Sequence, residues 1–154
     1  MIRKLVYAVA GIVLAALIAY LALSVYSRRA PPLGMIEGRL RPCPDRPNCV
    51  CSEAATANVE PLRFAGPAQP AWDQFAGIIA AAGGRIVELT PDYLHATFET
   101  TYMRFVDDFE ARLDRAAGVI HVRSASRVGY NDRSFNRRRI EELRAQHRVA
   151  TAQS

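Results

Sequence analysis

From Leu5 to Tyr26 the chain reads LVYAVAGIVLAALIAYLALSVY, 22 positions without a charge. The run has no polar face, so it does not read as a helix lying against a soluble core. At 1.5 Å per residue it matches a bilayer core of ~30 Å, and it predicts one N-terminal transmembrane helix. Beyond it the pattern becomes periodic. Trp72, Phe75, Ile78, Ile79 and Ala82 recur at three- and four-residue intervals and predict a helix ended by Gly83-Gly84. Strict alternation follows. Val87 and Leu89, then Leu94, Ala96 and Phe98, then Phe105, Asp107, Phe109, Ala111 and Leu113, then Ile120, Val122, Ser124, Ser126 and Val128 mark four strands. Residues 59–64 add a short strand ahead of the first helix. Helical spacing returns at Asn136, Ile140, Leu143 and His147, with Arg139 beside them. That helix runs from about Ser134 to Gln146, and Asp132 or Ser134 caps it.

These elements predict an α+β fold: an antiparallel sheet of four to five strands packed against two helices, preceded by one transmembrane helix. Residues 1–29 form the anchor with its basic flanks, 30–42 a Pro/Gly linker, 43–148 the α+β domain and 149–154 a tail. Aligning the apolar faces sets Leu113 opposite Ile120, Ala111 opposite Val122, Phe109 opposite Ser124 and Asp107 opposite Ser126. Ala96 is expected on the other side of Asp107. One carboxylate then sits in an apolar layer, flanked by small side chains. On the opposite face Glu110 meets Arg123, and Asp108 lies diagonal to Arg123 and Arg127.

Charge sharpens this picture at one end of the chain. Residues 27–154 hold 18 arginines and no lysine against 15 carboxylates, a net charge of +3. Eight of those arginines, with three acids, fall in residues 121–148. Arg137, Arg138 and Arg139 stand in the first turn of the last helix, where the macrodipole favours anions. A negative partner is therefore expected nearby. One candidate is internal: Asp107, approached by Asn136 and Arg139. Arg137 with Glu141 and Arg138 with Glu142 are expected to pair on the exposed side. The other candidate is an anionic ligand or an acidic partner, held by Asp107, Arg123, Ser126, Arg127, Asn136, Arg137 and Arg139.

The anchor has a rival reading as a signal peptide. The run exceeds the roughly 7–15 apolar residues of such a peptide, and SVYSRR is a poor cleavage site. Arg3 and Lys4 precede the span and Arg28, Arg29, Arg39 and Arg41 follow it, so a literal count of basic residues would keep the domain cytoplasmic. The cysteines argue otherwise. Cys43, Cys49 and Cys51 lie within nine residues, and a Cys43–Cys49 disulfide would close a small loop in an oxidising compartment, leaving Cys51 outside the bridge. A metal site is the alternative, but the spacing Cys-x5-Cys-x-Cys matches no standard zinc pattern and no histidine is near. No metal and no cofactor is expected.

Three stretches carry a resemblance. PNCVCS at 47–52, RFVDDFE at 104–110 and RSASRVGYNDRSFNRRRI at 123–140 resemble the bacterial and plastid family of unknown function DUF1499. The likeness covers roughly residues 40–145. Two positions depart from the family pattern: Cys51 stands where serine is usual, and Ser134 where glycine is usual. The resemblance implies no known activity. It implies a signal or anchor at the N-terminus of many relatives, and hence a domain on the periplasmic side of the inner membrane; a cytoplasmic domain is the alternative.

Function classes can then be weighed. Asp107, Ser124, Ser126, His95 and His121 are available for catalysis, but alternation points His121 away from Ser124 and Ser126, and both histidines read as surface strand residues. No phosphate-binding loop or metalloprotease motif occurs. Nucleic-acid binding is disfavoured by the anchor, by acids in the same strands and by scarce exposed aromatics beyond Tyr130. The sequence thus points to a membrane-anchored cell-envelope module that binds an anionic ligand or an acidic partner. The alternatives are a hydrolase-like enzyme using Asp107, and a purely structural polar network with a protein-interaction role.

Overall fold

The computed structural model describes residues 1–53 and 58–152. These residues form three helices, α1 (Ile2–Ser27), α2 (Ala68–Ala81) and α3 (Phe135–Ala152), and eight strands. β1 (Met35–Ile36) and β2 (Arg39–Leu40) pair as a small hairpin. β3 (Cys49–Cys51), β4 (Leu62–Arg63), β5 (Arg85–Leu89), β6 (Tyr93–Glu99), β7 (Val106–Asp114) and β8 (Val119–Ser126) form one antiparallel sheet in the order β3-β8-β7-β6-β5. β4 also pairs with β8, so two short strands share one edge. The sheet therefore has six strands rather than four to five, because that edge is built from pieces of two and three residues.

α2 and α3 cover one face of the sheet. Trp72, Phe75 and Ile79 from α2 meet Leu94, Phe98, Phe109, Ile120 and Val122 from the sheet and Ile140 and Leu143 from α3. The α2 stripe arises because three- and four-residue spacing puts these side chains on one side. Its end is fixed by Gly83 (φ 89°) and Gly84. A Cβ on Gly84 would lie 2.7 Å from Ile79 Cγ2 and 2.8 Å from Phe98 Cζ. Only glycine lets the chain turn this tightly from helix into β5.

The β7–β8 register is the expected one, from Leu113 opposite Ile120 to Asp107 opposite Ser126. The β6–β7 register differs by two residues. Phe98, not Ala96, faces Asp107, and Ala96 faces Phe109. In β5 a bulge between Ile86 and Glu88 breaks the alternation. Ile86 packs on the core, while Val87 and Leu89 are half exposed.

The other face of the sheet is not open to solvent. Residues 27–43 lie across it, the segment expected as a linker included. Gly34 N–H donates to Glu110, Leu40 N–H donates to Glu53, and Leu40, Cys51 and Tyr93 form a second apolar cluster. His95 is consequently buried and His121 half-buried, contrary to the expectation that both are surface residues. Burial there follows from what covers the face, which strand alternation does not report.

α1 is long and apolar enough to cross a membrane, as an anchor or as a signal sequence. Its C-terminal end touches the domain. Val106 N–H donates to Ser27 Oγ at 3.3 Å, and Arg127 donates to the carbonyls of Ser27 and Arg28.

Candidate functional site

Asp107 lies beneath α3 with 3 % of its surface exposed. Arg139 Nη2 donates to its Oδ2 at 2.7 Å, and the guanidinium stacks 4.6 Å from the Phe98 ring centre. Arg139 Nη1 donates to Ser124 Oγ at 2.9 Å and to Asn136 Oδ1 at 2.7 Å. Asn136 Nδ2 donates to Ser126 Oγ and to the Asn48 carbonyl, both at 3.0 Å. Asn48 Nδ2 reaches the carbonyls of Ser126 and Gly129. One network thus joins the approach to β3, the middle of the sheet and the first turn of α3. Asn48 was missed as a participant, although it is the asparagine of the quoted PNCVCS stretch. Asp132 caps α3: its Oδ2 accepts from Asn136 N–H at 2.7 Å and its Oδ1 from Ser134 N–H at 3.0 Å.

Arg123 and Arg127 do not belong to this network. They project to the opposite face, so the sheet separates them from Asp107, Ser126, Asn136 and Arg139. Arg123 Nη1 donates to Glu110 at 2.7 Å, and Tyr93 Oη donates to the same carboxylate at 2.8 Å. Burial pushes the Tyr93 phenol up, and the neighbouring Glu110 charge adds to it. Arg127 grips Asp108 with two bonds of 2.6 and 2.8 Å, and His95 Nε2 lies 2.9 Å from the same carboxylate. Burial would raise the Asp108 pKa, but the hydrogen bonds from Arg127 and His95 outweigh it and hold the carboxyl below its usual range. A third group pairs Arg112 with Glu53 and Asp114. Burial would lower the Arg112 pKa, and the bonds from Glu53 reverse that.

Of the candidate ligand-binding arginines, only Arg137 forms no ion pair among the described residues. Glu141, its expected partner, pairs with Arg144 instead at 2.9 Å, because Arg144 is held in place by the Glu60 and Pro61 carbonyls. Arg138 stacks on Phe135 at 4.3 Å in place of the expected Glu142 pair. Arg137, Arg144 and Arg148 recur along one side of α3 and line a cleft of about 520 Å³ with Asn58 and Glu60. Arg144 and Arg148 were not singled out in the sequence; their spacing from Arg137, seven and eleven residues, was the available signal.

Cys43 and Cys49 are joined by a disulfide, and Cys51 lies buried outside it. Among the described residues no group of three or more His, Cys, Asp or Glu side chains is arranged to hold a metal ion.

The network runs through the stretches that carry the family likeness, and a family model confirms it over residues 39–146, described as a protein of unknown function (DUF1499). The chain belongs to the DUF1499 family. No curated protein and no solved structure matches it. The DUF1499 match begins at β2, within the segment that covers the far sheet face, and takes in α2 and the part of α3 up to residue 146.

Proposed function

We propose that this DUF1499 chain is a single-pass, membrane-anchored module of the cell envelope, which binds an anionic ligand or the acidic surface of a partner in the arginine cleft along α3. The observation that carries this reading is the division of labour among the arginines. Arg123, Arg127 and Arg139 are each neutralised by an internal carboxylate. Arg137 and Arg148 are exposed, make no ion pair among the described residues, and flank the cleft. Arg144 fixes the wall between them through the Glu60 and Pro61 carbonyls. Each of these guanidinium groups suits a phosphate or carboxylate, which it can grip through paired N–H bonds.

Retention of α1 is supported by its contacts with the domain. A cut after Ser27 would remove the hydroxyl that Val106 N–H uses and one carbonyl that Arg127 uses. The Cys43–Cys49 bridge supports an extracytoplasmic domain.

The test is a thermal-shift screen of phosphorylated and carboxylate compounds on the full-length protein in detergent. At least one anion should raise the melting temperature, and Arg137→Ala with Arg148→Ala should abolish that rise while leaving the ligand-free melt unchanged. An anion shift that survives both substitutions, or no shift with any anion, overturns the cleft.

A further inference from the structure

One end of the sheet gathers features that the arginine cleft does not use. β6 stops there, β7 starts, β8 stops and α3 begins, beside the C-terminal end of α1. Its exposed side chains are of two kinds. Tyr102 is 93 % exposed and Tyr130 71 %, with Met103 and Phe135 also open to solvent. Arg28, Arg29 and Arg133 are exposed and make no ion pair among the described residues, whereas Arg104 shares Glu99 at 3.0 Å. Exposed aromatic and guanidinium groups are therefore gathered at the end of the domain from which the helix leaves.

The deciding contact lies further down α1. Tyr20 Oη donates to the Tyr102 carbonyl at 3.1 Å, and its ring centre is 5.8 Å from that of Phe105. Tyr20 precedes Ser27 by seven residues, about 10 Å along the helix axis. Toward acyl chains hydrogen-bond partners run out, and here the hydroxyl and the carbonyl satisfy each other. The β6–β7 loop also satisfies part of its own backbone. Thr100 N–H donates to the Phe105 carbonyl, Arg104 N–H to the Thr100 carbonyl, and Phe105 N–H to Thr100 Oγ1. This loop reaches well below the end of the apolar helix, with three of its backbone N–H groups bonded within it.

We infer that this end of the domain is a lipid-binding surface. The β6–β7 loop seats Tyr102 and Met103 at the boundary between headgroups and acyl chains, while Arg28, Arg29 and Arg133 contact anionic headgroups. The domain stands directly on the bilayer, and Arg127, bonded to the Ser27 and Arg28 carbonyls, fastens it to the helix end. The inference rests on α1 remaining in the membrane.

The experiment uses full-length protein reconstituted in vesicles of phosphatidylcholine, with or without phosphatidylglycerol. Tyr102→Cys or Met103→Cys is labelled with an environment-sensitive fluorophore; Cys51 is buried and the other cysteines are bridged, so labelling is selective. Ala116→Cys, in the turn at the far end of the sheet, is the control. The probes at 102 and 103 should be quenched by lipid-borne nitroxide and shielded from aqueous iodide, and the probe at 116 should behave in the opposite way. Shielding should be several-fold greater with phosphatidylglycerol, and Arg133→Gln should remove most of that gain. Iodide quenching at 102 and 103 equal to that at 116 overturns the membrane contact. Shielding that ignores both phosphatidylglycerol and Arg133→Gln overturns the role of anionic headgroups. The intact mass of the protein from cells decides separately whether α1 is retained: a mature chain beginning after residue 27 sinks the anchor reading even where the reconstituted loop meets lipid.

Discussion

Arg139 holds three things at once: the Asp107 carboxylate, the Ser124–Asn136 pair and the face of Phe98. Removing one partner of a buried ion pair strands the other, which costs about 3–5 kcal/mol, whereas replacing both with apolar groups is often near neutral. Arg139→Met should therefore lower unfolding free energy in urea by about 3 kcal/mol, and Asp107→Leu combined with Arg139→Met should recover most of that loss. A double variant as unstable as the single one would show that Arg139 acts mainly through Ser124 and Asn136. Half of this arrangement was legible in the sequence. Alternation set Asp107 opposite Ser126, because a one-residue slip would turn the apolar face outward. It could not choose between Ala96 and Phe98, because a slip of two residues keeps every side chain on its face. Ser134 sits at φ 65°, in the left-handed region that favours glycine. Ser134→Gly should be neutral or stabilising by up to about 1 kcal/mol in the same urea experiment.

At the scale of elements, α3 and α2 are locked to the sheet at points whose failure can be measured. His147 on α3 is buried edge-on against Phe75 and points Nε2 at the Arg63 carbonyl, 3.2 Å away. Burial pushes its pKa below the usual 6.5, and burial does the same to His121. The sign follows from linkage. As pH falls through 6.5 the unfolded chain takes up protons that the folded chain refuses, so stability declines from there downward until the folded pKa is reached. Melting temperature should fall between pH 7 and pH 5, and His147→Gln should flatten that slope. At the other helix, Gly84→Ala would force a methyl against Ile79 and Phe98, where neither helix nor strand can give way. A loss of about 1–3 kcal/mol in chemical denaturation is expected, as for other overpacked sites. The helices themselves were legible because their apolar stripes face one core. The second sheet face was not. Tyr93, His95, Asp108, Glu110 and Arg123 carry the polar residues of an exposed face, and polarity on alternate positions ordinarily means solvent. Here those groups satisfy one another beneath residues 27–43. Nothing in the alternation announces such a cover.

For the molecule as a whole, the cover and the compartment are linked through the cysteines. The Cys43–Cys49 bridge closes a loop just ahead of β3, the strand that hydrogen-bonds to β8 and follows Asn48 into the inner network. Closing so short a loop removes unfolded-state entropy worth about 2 kcal/mol in the chain-entropy model. That contribution exists only where thiols are oxidised. A periplasmic domain and a cytoplasmic one therefore differ in more than address: the cytoplasmic form would lack the bridge. Two measurements on the same cells separate them. A reporter fused at the C-terminus, active only outside the cytoplasm, should be active. Alkylation of whole-cell protein under denaturing conditions should modify one cysteine, Cys51, before reduction and all three afterwards. Cys43→Ser with Cys49→Ser should then lower stability by about 2 kcal/mol relative to the oxidised protein and leave the reduced protein unchanged. A silent reporter together with three alkylated cysteines before reduction would put the domain in the cytoplasm. The short basic segment ahead of α1 would then have been outweighed by the arginines that follow it, as the literal charge count requires.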